Sequence, residues 1–317
     1  MSKNRISPQE LKPLLTGVFN IQFTPIKSAI EIDKKALADH TNFIIEGGLV
    51  NGKGVTVIGG SNGEGFSLSD QEYKDLIDVV VDTAAGRVPV VVGCVRPGTR
   101  PVIELAKYAE EAGASGLMIL APHYYPNPSH DLIYEHFKSL ADETNIGIIV
   151  YNNPLVTGVD IPIELVERLA DIENIVGLKE TTSNMYRLRK VITRYKERFN
   201  INTNTYRWMM PLDYQLGAQG FNTYFGNADP GFAVRMHEIG ASGDFDACHK
   251  LWSDMVELYD FCFSHGDMYK ASALGKEMVR IVGLSMGDYE RLPLVRPSKA
   301  ERDILRGLMK KGGLAVN

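Results

Sequence analysis

The chain has 317 residues, 44% hydrophobic and 23% charged, with a formal net charge of −5 and no block rich in Lys and Arg. That balance disfavours nucleic acid and anionic membrane as partners, and no apolar run reaches the roughly 20 residues of a membrane span. Cys94, Cys248 and Cys262 are scattered without ligand spacing, and Met1–Glu10 lacks a signal-peptide core, so a reduced, cytoplasmic protein without a metal site is expected.

From about Thr16 to Gly240 the chain alternates short β-rich runs with helix-period segments. The expected strands are Gly17–Thr24, Gly54–Gly59, Val88–Gly93, Gly116–Ala121, Gly147–Tyr151, Ile175–Lys179, Asn200–Thr205 and Gly220–Phe225. The helical segments between and after them are Lys34–Glu46, Asp70–Ala84, Arg100–Ala112, Leu132–Glu143, Ile163–Leu169, Met185–Arg198, Met209–Leu216 and Gly231–Gly240. Several strands have no polar alternation, Val90-Val91-Val92 among them, which is the pattern of a parallel sheet covered on both faces. Eight such units predict an α/β protein, a (β/α)₈ barrel of the TIM type. The rival is an open doubly wound sheet, whose dinucleotide form would carry a Gly-x-Gly-x-x-Gly turn that this chain lacks. Beyond Gly240 three further helices are expected, at 243–264, 268–283 and 298–311. The chain therefore divides into a barrel domain at 1–240 and a C-terminal helical extension at 241–317.

Active sites of such barrels lie at the C-terminal ends of the strands. Lys179 stands at the end of the sixth, in Ile175-Val176-Gly177-Leu178-Lys179. Burial disfavours an ammonium, and a neutral amine is a nucleophile able to form a Schiff base with a ketone. The structural alternative is a lysine snorkelling to water. Gly177 shares the lysine's side of the strand and leaves room beneath it. Tyr151 ends the neighbouring fifth strand, within reach of the lysine and able to move protons. The turn Gly59-Gly60-Ser61-Asn62-Gly63 offers backbone N–H groups for a carboxylate and a hydroxyl for a proton relay. Each has a plain alternative: a core tyrosine, an ordinary strand–helix turn. Glu64 is read as structural, set against the next helix or the loop amides. Thr24, Arg207 and Tyr224, at the ends of strands 1, 7 and 8, complete the candidate substrate-binding set with Ser61, Asn62 and Gly60. A nucleophilic serine triad is not expected, and no cofactor is called for by this chemistry.

Three motifs in this order, Gly59-Gly60-Ser61-Asn62-Gly63-Glu64, Tyr151-Asn152-Asn153-Pro154-Leu155-Val156-Thr157-Gly158 and Val176-Gly177-Leu178-Lys179-Glu180-Thr181, resemble the dihydrodipicolinate synthase/N-acetylneuraminate lyase family of pyruvate-type class I aldolases. The resemblance covers nearly the whole chain. It implies a (β/α)₈ barrel assembled as a homotetramer, a dimer of dimers. It also implies an imine between Lys179 and a 2-keto acid, proton transfer by Tyr151, carboxylate contacts from Ser61 and Asn62, and a relay tyrosine, Tyr125 or its neighbour Tyr124, reaching across a dimer interface. Asn62 replaces a common threonine, and Val156 stands where dihydrodipicolinate synthases carry an arginine for the second substrate's carboxylate. The expectation is therefore a Schiff-base aldolase or lyase of the N-acetylneuraminate-lyase-like branch, joining or cleaving pyruvate or a related 2-keto acid and an aldehyde or sugar acid. That branch has an acidic pair where Arg207-Trp208 stands here. The alternatives are a 2-keto-3-deoxy sugar acid dehydratase using the same imine, a 4-hydroxy-tetrahydrodipicolinate synthase, and a non-catalytic keto-acid-binding homologue.

Overall fold

The computed structural model describes residues 5–125, 127–204, 209–263 and 267–316. Eight parallel strands close into a barrel: β1 (Gly17–Ile21), β4 (Gly54–Ile58), β5 (Val90–Cys94), β6 (Gly116–Leu120), β7 (Gly147–Asn152), β8 (Ile175–Glu180), β9 (Asn200–Thr203) and β10 (Gly220–Thr223). They follow one another around the ring in chain order, and β10 pairs with β1 to close it. All eight expected strands are present, and closure rules out the open sheet. A parallel sheet needs a crossover between strands, and helices supply it: α2 (Lys34–Glu46), α3 (Asp70–Ala84), α4 (Thr99–Ala112), α5 (His130–Glu143), α7 (Ile163–Ala170), α8 (Met185–Tyr195) and α9 (Met210–Leu216), with α10 (Pro230–Ser242) following the last strand. Their starts are chemically marked. Ser69 caps α3 in a reciprocal capping box with Glu72, and Asp33, Ser129 and Asn184 cap α2, α5 and α8.

Two features depart from the expectation. A small antiparallel hairpin, β2 (Ile26–Ser28) with β3 (Glu31–Ile32), follows the first strand, which ends three residues sooner than expected. An unforeseen helix, α1 (Pro8–Leu14), closes the bottom of the barrel. Its Leu11 and the following Leu15 are fully buried among Phe19, Val55, Val57, Val91, Met118 and Ile149. A side chain at Gly116 or Gly147 would come within 2.5 or 2.7 Å of Leu11, so these two glycines make the space that the plug fills. The signal lay in Ser7-Pro8-Gln9-Glu10, a capping box with proline at the first helical position.

A short turn of helix, α6 (Pro154–Thr157), follows β7, and after α10 come α11 (Phe245–Phe263), α12 (Met268–Ile281) and α13 (Lys299–Lys311). Met255, Leu258, Tyr259, Leu274 and Met278 of these last helices belong to the same continuous apolar cluster as the outer faces of the strands. Among the described residues no helix is long and apolar enough to cross a membrane.

Candidate active site

Lys179 is 2% exposed, near the C-terminal end of β8. It is paired in register with Tyr151 on β7 and Asn202 on β9, so the three side chains issue on the same, inner side of the wall. Its Nζ lies 4.0 Å from the centre of the Tyr151 ring. The expected meeting of lysine and phenol is therefore present. The space below is not open, however. A Cβ on Gly177 would lie 2.9 Å from Ile149 and 3.0 Å from Leu15, so glycine is needed because the plug already fills that layer.

The end of β8 is fastened from outside the barrel. Glu180 is fully buried and accepts from Arg187 Nη2 at 2.9 Å and Asn152 Nδ2 at 2.7 Å. Burial pushes its carboxyl up, and the Arg187 guanidinium works against that. Removing Arg187 would strand the buried Glu180 charge, so the backbone beneath Lys179 has little freedom. The Tyr151 phenol is itself held, because Asn153 Nδ2 donates to its oxygen at 2.8 Å.

The Gly-rich turn after β4 stands over the barrel. Gly60 faces inward, toward Ile21, Met118 and Val57. Gly65 N–H donates to Gly60 O at 3.2 Å and Glu64 N–H to Ser61 O at 3.1 Å. Gly59 has φ +64°, and a Cβ there would lie 2.5 Å from the Tyr73 ring, whose hydroxyl is hydrogen-bonded to the carbonyls of Gly59 and Gly93. Thr24 is buried and gives its hydroxyl to Gly63 O at 2.6 Å, so it fastens the turn to the end of β1. The Ser61 hydroxyl makes no hydrogen bond among the described residues and is half-buried.

Glu64 occupies the left-handed region, φ 59°, uncommon for a residue with a side chain. Its carboxylate does not serve the next helix or the loop amides. It bonds Lys276 of α12 at 2.7 Å, with both side chains out of water. Lys276 also lies 3.1 Å from Glu290, which pairs with Arg280 at 2.5 Å. Burial raises the Glu64 carboxyl, and the Lys276 ammonium pulls it back. Arg291 reaches Ser67 O at 3.1 Å and Glu72 at 2.6 Å, and Arg96 reaches Gly65 O and Leu68 O, each at 3.1 Å. The turn is thus gripped by the C-terminal helices and by the loop after β5. Sequence reasoning missed Lys276, whose only mark is a lysine in an otherwise small, apolar stretch, Ala271-Ser272-Ala273-Leu274-Gly275-Lys276.

The remaining candidates are scattered. Tyr124 and Tyr125 are 75% and 78% exposed, with their rings edge to face at 5.0 Å. Tyr224 is buried in an aromatic cluster with Phe23, Phe225 and Phe263. Arg207 and Trp208 lie outside the described residues. Sequence reasoning also passed over the asparagines beside the lysine. Asn202 is fully buried with neither amide atom hydrogen-bonded among the described residues, and Asn222 donates to Asn204 at 3.2 Å.

Known proteins are similar to this chain over nearly its whole length. A protein of Syntrophus aciditrophicus named 4-hydroxy-tetrahydrodipicolinate synthase is 34% identical over 291 residues, covering 92% of this chain and 96% of its own. The crystal structure of dihydrodipicolinate synthase from Aquifex aeolicus superposes with a TM-score of 0.84 at 28% identity, covering 95% of this chain and 99% of that one. The chloride-inhibited dihydrodipicolinate synthase from Acinetobacter baumannii, complexed with pyruvate, superposes with a TM-score of 0.82 at 26% identity, covering 95% and 100%. The profile of the dihydrodipicolinate synthetase family matches residues 14–311, and with the barrel, its terminal helices and the strand-end lysine in place, the chain belongs to that family.

Proposed function

We propose that the chain is a class I aldolase or lyase that binds pyruvate or a related 2-keto acid as an imine on Lys179 and makes or breaks the adjacent carbon–carbon bond. The observation that carries this is the buried Lys179 amine 4.0 Å from the centre of the Tyr151 ring, near the C-terminal end of a barrel strand. The amine adds to the keto carbon to give a carbinolamine. Tyr151 gives its proton to the carbinolamine hydroxyl, which leaves as water, and the phenolate then takes a proton from the substrate's next carbon as the enamine forms. Backbone N–H groups and the Ser61 hydroxyl of the gripped turn suit the keto acid's carboxylate. The pyruvate in the Acinetobacter baumannii relative supports the substrate class. The exposed Tyr124 and Tyr125 offer an aromatic surface that a second copy of the chain would cover, which fits a tetramer built of dimers.

The names of the curated relatives favour a second reading, 4-hydroxy-tetrahydrodipicolinate synthesis. Against it stands Val156 on α6, half exposed and unable to pair with a carboxylate at the place where the resemblance calls for arginine. The test is borohydride reduction in the presence of pyruvate, followed by peptide mass mapping. A reduced adduct on Lys179, absent from Lys179→Ala, is expected; an unlabelled protein would sink the imine. Pyruvate with a panel of aldehydes then separates carbon–carbon chemistry from dehydration of deoxy sugar acids.

A further inference from the structure

The geometry points to Asn153 as a positioning residue that aims the Tyr151 proton, an inference resting on the lysine–tyrosine chemistry proposed above. Asn153 and Tyr151 are each 6% exposed, and the Asn153 amide donates to the phenol oxygen at 2.8 Å. Asn153 is held in place by its own backbone. Its carbonyl accepts from the N–H groups of Val156 and Thr157 at 3.1 and 3.0 Å and from the Thr157 hydroxyl at 3.0 Å. Pro154 at the start of α6 also fixes the direction in which the chain leaves.

A phenol has one proton to give and lone pairs to receive. With a lone pair taken by the Asn153 amide, the O–H is left to point elsewhere. The amide also stabilises phenolate more than phenol, because a hydrogen bond donated to the charged form favours that form. Tyr151 is thereby a better acid when it protonates the carbinolamine hydroxyl, and the phenolate left behind is already solvated by the amide. The other Asn153 amide atom, Oδ1, is buried without a hydrogen-bond partner among the described residues. Among the described residues, Lys179 from β8 faces the ring as a titratable group. On the other side the register neighbour is Leu120 of β6, which is apolar. Asn153 does not titrate, so its removal changes the phenol without adding or deleting a charge.

The experiment follows exchange of the pyruvate methyl protons with deuterated solvent by NMR, as a function of pH, in the unsubstituted protein, in Asn153→Leu and in Asn153→Asp. Borohydride trapping is measured in parallel. The leucine variant keeps similar bulk and should still trap pyruvate, with little change in KM. Its exchange rate should fall at least about tenfold, as expected for a weakened acid–base group. Its alkaline limb should move up by about one pH unit, the scale of one hydrogen bond to an ionised oxygen. In Asn153→Asp the carboxylate can only accept, so the phenol proton turns away from the substrate and the loss should be larger. Normal trapping with unchanged rate and limb in Asn153→Leu would overturn the inference, as would a limb that moves down. A wild-type protein that cannot be trapped would instead remove the lysine chemistry beneath it.

Discussion

Along β4, β5, β6 and most of β7 the side chains inside the barrel are Val55, Val57, Val91, Met118, Leu120 and Ile149, all buried in one apolar cluster with Leu11 and Leu15 of the plug. From the end of β7 through β10 the inner wall carries Tyr151, Lys179, Asn200, Asn202, Asn204 and Asn222 instead. The first half is held by close packing. The second half gives up that stabilisation, since a buried amide or amine costs free energy unless its polar atoms are met. One wall of the barrel keeps to the packing rule and the facing wall breaks it repeatedly, and the breaks coincide with the residues of the proposed chemistry.

The contrast can be tested from its strong side first. Ile149→Ala removes packing from the apolar half, beside Gly177 and beneath Tyr151. It should cost about 2–5 kcal/mol in denaturant unfolding, the usual range for such a truncation, and pyruvate should still be trapped on Lys179. A loss of trapping in the folded variant would mean that the two halves are not separable.

Acid should weaken both halves alike. His40 of α2 is hydrogen-bonded at 3.0 Å to Asn227 O, just past β10 of the polar half, and His136 of α5 lies behind the apolar half, bonded to Thr99 at 2.9 Å. Burial lowers each imidazole to about 4. The unfolded chain binds these protons first, near pH 6.5, so stability is complete above that pH and is lost as the pH falls toward 4. The loss should approach roughly 3 kcal/mol for each histidine. Denaturant midpoints measured between pH 7 and 4 should flatten in His40→Leu and in His136→Leu; flattening in one alone would show that one side of the barrel carries the acid sensitivity.

The smallest effect sharpens the polar side. Asn202→Leu exchanges a buried amide without hydrogen bonds for an apolar group of similar size. It should leave stability unchanged or raise it by about 1 kcal/mol, with a drop in methyl-proton exchange. Destabilisation by more than that would show Asn202 to be a structural member of the wall.

Much of this was legible before the fold. The strand and helix periods located all eight units, because strands covered on both faces read as unbroken apolar runs and their helices as amphipathic ones. Lys179 and Tyr151 stood out because polar residues ended such runs. The plug did not stand out, since α1 is seven residues long and its apolar side is only Leu11, Leu14 and Leu15. The partner of Glu64 was invisible for a different reason. Nothing local links residue 64 to residue 276, and only the closed barrel with α12 laid against it brings them together.

That pairing has a consequence for the order in which the molecule can be completed. Glu64 and Lys276 are 212 positions apart in the chain. The turn that would hold a keto acid's carboxylate is therefore built near the start of the chain and finished near its end. A nascent barrel with all eight strands in place would still hold an uncompensated carboxylate in that turn, in a backbone conformation that a non-glycine residue adopts reluctantly. Maturation of the site is thus timed by the docking of α12, and a protein still being synthesised would have its walls before it had its grip on substrate.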